Sequence, residues 1–341
     1  MNVSPSLDRP PLVTVTPEGL YCPPGDFHID PWRPVARALI THAHGDHARW
    51  GSQRYLGASP SGGLLRKRLG PDADISTLEY GERLSLGGVT VSFHPAGHVL
   101  GSAQIRIEHR GEVWVVSGDY KRNPDPTCLP FEPVRCDTFI TEATFGLPIY
   151  RWDDTRLVTE EVLRWWDGNR EAGRASVLFC YALGKAQRLL AELARLTDRE
   201  VLVHGATHAL VECYREAGVR MLPTRPVSEM EKGTSYAGAL VLAPPSAAGS
   251  TWMRRFGEHE TGFASGWMRV RGNRRRRGHD RGFVLSDHAD WPGLLRTVKE
   301  AGASRVLVTH GSSETLARYL CEHQGLDAAP LSTSFEGETE D

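Results

Sequence analysis

The sequence predicts an α/β protein whose strands deliver a metal-binding cluster to one face. Three observations carry that expectation. Short apolar runs bounded by turn residues recur through the first part of the chain: Leu12 to Val15, Ala38 to Thr41, Val89 to Phe93, Ala103 to Ile107, Val113 to Ser117 and Thr138 to Thr141. Beyond residue 150, apolar strands alternate with helical periodicity, as a parallel sheet with crossover helices requires. The run Thr41-His42-Ala43-His44-Gly45-Asp46-His47, in the pattern H-x-H-x-D-H, ends one of the strands.

That run is the most specific signal in the chain. A strand that stops at a loop sends alternate side chains to one side, so His42 and His44 can bind one ion. Gly45 lets the chain turn, and Asp46 and His47 are re-aimed toward a second ion. Imidazole and carboxylate suit zinc, manganese or iron, and two ions held by mixed ligands are the usual basis of metal-assisted hydrolysis.

Two polar landmarks follow at strand ends. His98 lies in Pro95-Ala96-Gly97-His98-Val99-Leu100-Gly101-Ser102, and Asp119 closes the strand Val113 to Ser117. A carboxylate there can bridge two ions, one oxygen to each. By themselves a loop histidine and a turn aspartate are ordinary; their order after the histidine cluster makes them candidates. Near the end of the chain, Gly282 to His288 and Arg305 to His310 read as strands ending in histidines, with a helix over Trp291 to Ala301 between them. Such a strand–helix–strand unit would place both histidines at one face.

Between these parts, Asp153 or Asp154 can cap a helix running to about Asn169. Ser176 to Tyr181 reads as a buried strand, and Gly184-Lys185 opens a helix ending near Leu196. Strands at Glu200 to Val203 and Ala239 to Ala243 flank a helix at Thr207 to Ala217. Trp165 and Trp166 sit at helical spacing among apolar neighbours and read as core. Lys185, at a helix start, either faces nucleic-acid phosphate or is a plain surface helix start. The segment 269–281 holds seven arginines and one acid. Its Arg271, Arg274, Arg275, Arg276 and Arg277 are candidate phosphate contacts, with a solvated charge run as the alternative.

Size and composition set the frame. At 341 residues there is room for one large domain or two ordinary ones. A net charge of −2 confines nucleic-acid affinity to local patches. Six scattered cysteines, none in a C-x-x-C pair, point to reduced thiols and a cytoplasmic protein without a cysteine zinc site. The N-terminal stretch has no secretory apolar region, no run approaches a membrane span, and the last residues form an acidic tail.

The ordered set His42, His44, Asp46, His47, His98, Asp119 and His310 resembles the metallo-β-lactamase family. The long gap between Asp119 and His310 is similar to that of the β-CASP nucleases, which insert a cap domain into that fold. Glu142 in Thr141-Glu142-Ala143-Thr144, His288 in the S-x-H-A-D segment and His310 in T-H-G match that subgroup's further motifs. Asp30 matches the family's first aspartate, followed here by Pro31-Trp32 rather than a glycine turn. The resemblance implies a metallo-β-lactamase αββα sandwich over 1–147 and 282–330, a compact β-CASP-like α/β cap over 148–281, and a tail over 331–341. It implies two divalent ions, Zn2+ or Mn2+. One would be held by His42, His44 and His98, the other by Asp46, His47 and His310, with Asp119 bridging. His288 would be the general acid, Glu142 its hydrogen-bonding partner favouring the charged form, and Asp30 a supporting residue behind the ligands.

Within the subgroup the chain is similar to bacterial ligase-associated DNA repair exonucleases, on its compact middle block and its Gly25-Asp26-Phe27-His28-Ile29-Asp30 run. Single-stranded DNA is then the expected partner, with a functional link to a DNA ligase and helicase and none to a membrane. RNA-processing relatives share the same motifs, and a small-molecule ester or thioester hydrolase could use the same metal set. DNA against RNA, strand polarity, the metal and the oligomeric state stay open at this point.

Overall fold

Alternating apolar strands pair into three sheets in a computed structural model that describes residues 10–270 and 278–333. The first sheet runs in sequence order: β1 (Thr14–Thr16), β2 (Gly19–Cys22), β3 (Phe27–Ile29), β4 (Arg37–Leu39), β5 (Arg54–Ala58) and β6 (Ile75–Leu78). The helix α1 (Gly62–Leu69) joins its last two strands. The second sheet begins with the antiparallel strands β7 (Leu84–Leu86), β8 (Val89–Pro95), β9 (Ala103–His109) and β10 (Glu112–Val116), then β11 (Thr138–Glu142) parallel to β10. It is completed by β18 (Arg305–Thr309) and β19 (Asp327–Pro330), with β18 parallel to β11 in the register Thr138 to Arg305.

The period-two pattern of these strands explains how the sheets pack. Leu20, Phe27, Ile29 and Leu39 from the first sheet and Val91, Phe93, Ile105, Ile107 and Val116 from the second share one buried core. The opposite face of the second sheet packs Val115, Phe139 and Val306 against α5 (Trp291–Ala301) and α6 (Ser313–Gln324). Asp290 caps α5, accepting a hydrogen bond from the Gly293 amide at 2.9 Å. On the outer face of the first sheet, α1 buries Leu64 and Leu65 against Ala38, Ile40 and Tyr55.

The third sheet lies between β11 and β18 in sequence. Its strands are β12 (Ala175–Phe179), β13 (Val201–Val203), β14 (Thr224–Pro226), β15 (Leu240–Ala243), β16 (His259–Ala264) and β17 (Arg281–Phe283), in the order β14-β13-β15-β12-β16-β17 and all parallel. Helices α2 (Thr155–Glu171), α3 (Lys185–Leu193) and α4 (Gly205–Glu216) supply crossovers. Asp154 caps α2 through the Arg156 amide, as the sequence suggests. Trp165 and Trp166 are core residues, with the Trp166 indole donating to Gly238 O at 2.9 Å.

One expectation is overturned. Gly282 to His288 and Arg305 to His310 do not form a strand–helix–strand unit in one sheet. Regular pairing stops at Phe283, and β17 adds to the edge of the third sheet beside β16, whereas β18 lies in the second. The apolar run is long enough for a strand, but Ser286-Asp287-His288 leaves the ladder to cross toward the histidine cluster. Apolar periodicity identifies a strand; it does not say which sheet receives it.

Trp166 is 2 % exposed in the core of the third sheet. Trp166→Ala should lower stability to denaturant by roughly 3–5 kcal/mol. A loss under about 1 kcal/mol would remove this residue from the core assigned to it.

Candidate metal centre

The centre is assembled where β4, β8, β10, β11 and β18 end. His42, His44, Asp46 and His47 follow β4; His98 follows β8; Asp119 follows β10; Glu142 ends β11; His310 follows β18. Four side chains, His42, His44, His98 and Asp119, bring ligand atoms within 4.8 Å of one another, and Asp46, His47 and His310 form a second such group. The Asp119 Oδ2 atom stands between them, 3.5 Å from His42 Nε2 and 3.4 Å from His47 Nε2. Its Oδ1 is buried without a hydrogen-bond partner among the described residues.

Each histidine of the first group has its proton committed elsewhere. Asp30 Oδ2 accepts the Thr41 hydroxyl at 2.5 Å, so Thr41 Oγ1 is left to accept from His42 Nδ1 at 3.0 Å. His44 Nε2 donates to Leu183 O at 3.2 Å, and His98 Nδ1 donates to Asp287 O at 2.8 Å. The network therefore assigns bare nitrogens to His42 Nε2, His44 Nδ1 and His98 Nε2. These face one another, with 3.1 Å from His44 Nδ1 to each of the other two. Metal–nitrogen bonds of about 2.0–2.1 Å in a tetrahedron put neighbouring nitrogens roughly 3.3 Å apart. Three convergent lone pairs with no proton between them fit a cation, and the all-nitrogen-and-oxygen donor set suits zinc or manganese.

Electrostatics follow from burial. Desolvation, before any other cause, holds His42 and His98 well below the ordinary imidazole range, and it also lowers His44 and His310. Burial opposes charge on His47 too, but the carboxylates of Asp46, Asp119 and Asp30 outweigh it and raise that group well above its ordinary value. Burial likewise works against ionised Asp119, yet His47, His288 and His42 hold its carboxyl well below the usual range.

The residues behind the ligands are placed by the same network. Asp30 adopts a left-handed φ of +42° and is 2 % exposed. Its Oδ1 accepts from the Thr41 amide at 2.8 Å and its Oδ2 from His47 Nδ1 at 2.7 Å, which aims His47 Nε2 at the cluster. His310 also has a positive φ, +60°, a conformation uncommon outside glycine that recurs at functional sites. Glu142 accepts from His288 Nδ1 at 2.9 Å and from the Tyr120 amide at 2.8 Å, with both side chains buried.

Gly45 lies in the turn expected of it, over 45–47, where the His47 and Ala48 amides donate to His44 O. It does not adopt a positive φ; a Cβ there would stand 1.6 Å from the Arg68 guanidinium. Arg68 and Lys67, exposed residues of α1, line a cleft of about 350 Å3 over the cluster, opposite an apolar wall that includes Leu183 and Leu210. Sequence reading passed over these two cations, although Arg66-Lys67-Arg68 is a visible basic run.

Lys185 is a correction. Its side chain is 2 % exposed and its ammonium lies 3.3 Å from Asp287 Oδ2, so it does not present charge to phosphate. A helix start is usually a surface feature, but this one is packed against the segment that carries His288. The arginines Arg271, Arg274, Arg275, Arg276 and Arg277 lie outside the described residues. No helix among the described residues is long and apolar enough to cross a membrane.

No family model matches the chain. It is similar, at 33% identity over 313 residues, to a protein of Opitutus terrae named Probable DNA ligase, a match covering 91% of this chain and 30% of that protein. It is 31% identical over 189 residues to Cleavage and polyadenylation specificity factor 73 of Drosophila melanogaster, covering 48% of this chain and 26% of that one. Ribonuclease TTHA0252 of Thermus thermophilus is 29% identical over 191 residues, 48% of this chain and 44% of the relative. The chain thus spans less than half the length of each of these relatives. A crystal structure of a protein of unknown function from Enterococcus faecalis V583 shares the fold, with a TM-score of 0.56 at 12% identity over 89% of this chain and 80% of that one.

Two outcomes are expected. Zinc at about 100 times its dissociation constant should stabilise the protein by about 2.7 kcal/mol, an increment removed by chelator. Asp30→Ala, which strips His47 of its acceptor, should weaken binding at the Asp46–His47–His310 group by roughly 10–100-fold in calorimetric titration. Unchanged affinity would leave Asp30 with no part in the centre.

Proposed function

This chain belongs to the β-CASP nucleases of the metallo-β-lactamase family, and from that premise we propose that it is a metal-dependent hydrolase of phosphodiester bonds in single-stranded nucleic acid, acting as a DNA repair exonuclease. In this reading the first two sheets with α1, α5 and α6 are the family's αββα sandwich, divided over 1–147 and 282–330, and 148–281 forms the cap. The observation that carries the reading is the convergence of seven donors, His42, His44, Asp46, His47, His98, Asp119 and His310, beneath a cleft rimmed by two cations. The likeness, over 91% of this chain, to part of a protein named as a DNA ligase favours DNA. The ribonuclease-named relatives support an RNA-processing reading of the same site.

The donors divide into His42, His44 and His98 for one ion and Asp46, His47 and His310 for the other, with Asp119 between. Two divalent ions, zinc or manganese, would lower the pKa of water and draw charge from a phosphoryl oxygen. The remaining work falls to this chain's own groups. His288 reaches the cleft, and Glu142 holds its Nδ1–H, so its Nε2 is positioned to exchange a proton with the leaving oxygen. Lys67 and Arg68 would grip backbone phosphate beside the scissile bond. The apolar wall opposite excludes water and accepts the face of a base.

End-labelled single strands of DNA and RNA of one sequence, with zinc or manganese and Asp46→Ala as control, test the reading. Stepwise release of mononucleotides from DNA by the wild type alone is expected. Cleavage of RNA alone would move the protein to the RNA-processing branch, and cleavage of neither by the metal-loaded protein would defeat the nuclease reading. His288→Ala should keep its metal and lose about 10²–10⁴-fold in turnover; loss of metal would make His288 a ligand instead. Removing both charges in Lys67→Ala/Arg68→Ala should weaken oligonucleotide binding and flatten its log–log salt dependence by about 1.4, roughly 0.7 per phosphate contact.

A further inference from the structure

Two of the three convergent imidazoles take their tautomers from carbonyls far away in sequence. His44 is set by Leu183 O, 139 residues on, and His98 by Asp287 O, 189 residues on. Leu183 lies just before α3, and Asp287 lies on the segment leaving β17. Neither carbonyl belongs to the first two sheets, which carry the histidines.

A buried ion pair ties these two segments together. Lys185 Nζ lies 3.3 Å from Asp287 Oδ2, with the side chains 2 % and 1 % exposed. Arg188, one turn further along α3, places its guanidinium 3.7 Å from Asp287 Oδ1 and donates to Ser286 O at 2.6 Å. The loop before α3 is pinned as well: Gln187 accepts from the Gly184 amide at 2.7 Å and donates to Ala182 O at 2.8 Å. Gly184 sits at a φ of +92°, where a Cβ would come 2.7 Å from Val99 Cγ1 and 3.2 Å from Asp287 Oδ2. A side chain there would be strained by that φ and would press on Val99 before it reached the carboxylate. On the far side, Asp125 Oδ2 lies 3.5 Å from Arg188 Nε and 3.0 Å from Lys121 Nζ, which extends the network into the segment after β10.

Among the described residues both Asp287 carboxylate oxygens are buried without a hydrogen bond, and ion pairing with Lys185 and Arg188 offsets their charge. Such a dry pair is a poor source of stability, because desolvation cancels most of the Coulomb gain. What it does well is fix geometry. Moving Asp287 moves the carbonyl that orients His98; moving Lys185 moves the turn that orients His44.

We infer that the Lys185–Asp287 pair is a positioning device that holds the Leu183 and Asp287 carbonyls in place, and through them the donor nitrogens of His44 and His98, so that metal capture depends on the inserted third-sheet block. The inference rests on the metal-centre reading. Lys185 and Asp287 stand outside the donor groups and act through other residues.

Histidine 15N–1H correlation spectra of the metal-free protein, followed by Co2+ titration, test it. The wild type should show His44 protonated on Nε2 and His98 on Nδ1. Asp287→Asn and Lys185→Met should each populate the opposite tautomer and weaken Co2+ binding by about 10–100-fold. The double variant Lys185→Met/Asp287→Asn removes one charge of each sign, leaves Arg188 its Asp125 partner, and should recover folding stability while its Co2+ affinity stays low, which separates positioning from stability. Wild-type affinity and absorption bands in the folded double variant would overturn the inference, as would the opposite tautomers in the wild type. Should a single variant fail to fold, the double variant and the wild-type tautomers decide. A wild type with these tautomers that binds no Co2+ would instead defeat the metal-centre reading, a separate outcome.

Discussion

Three imidazole nitrogens that point at one another without a proton between them are the constraint on which this structure turns. Each is bare because its ring partner has a better acceptor: a hydroxyl behind His42 and backbone carbonyls behind His44 and His98. Convergent lone pairs repel, and His42 and His98 are buried away from water while His44 is partly so. The arrangement is unfavourable unless a cation sits among them, which is why the surrounding chain has to hold it so firmly. Positive φ at Asp30 and His310, a buried Asp30 with two neighbours on its carboxylate, and a dry ion network beside the cluster are costs of this kind.

The topology shows how a separate sheet can lie in sequence between two paired strands. β11 and β18 are parallel neighbours in the second sheet although more than a hundred and sixty residues separate them, Thr138 pairing with Arg305. Their ladder is complete without the intervening block. The third sheet forms separate apolar clusters, one around Trp166, Leu178 and Leu190 and another around Phe179, Val241 and Phe263. It rejoins the centre through polar contacts: Leu183 O, the segment Ser286 to His288, and the ion network of Lys185 and Arg188. Apolar packing builds the parts and also joins them, since Leu183, Cys213 and Tyr214 share one buried cluster with Ile40, Leu64 and Leu100; directional polar contacts add the register at the centre.

The charges in the centre are sorted by partner rather than by residue type. His42 and His98 are buried among imidazoles and kept neutral, whereas His47, equally buried, is surrounded by Asp46, Asp119 and Asp30 and drawn toward the charged form. A group of neutral nitrogens that could hold a cation thus adjoins one in which carboxylates supply the negative charge. Asp119 belongs to the first group, and its Oδ2 lies between the two, 3.5 Å from His42 Nε2 and 3.4 Å from His47 Nε2.

The chain's own residues determined a great deal of this. The H-x-H-x-D-H run, His98, Asp119 and His310 are each legible because ligand chemistry demands particular side chains at strand ends, and strand ends are local features. Helices α2, α4 and α5 were legible within a few residues for the same reason, since caps such as Asp154 and Asp290 act on their immediate neighbours. What tertiary structure alone decided was partnership at long range. Lys185 looks like a surface cation until Asp287, a hundred residues on, is brought against it; the strand before His288 looks like a neighbour of β18 until it pairs with β16. Local sequence encodes what a residue can do, because that is set by its own atoms and its nearest peptide groups. Which of those capacities is used depends on desolvation and on partners that only the folded chain supplies.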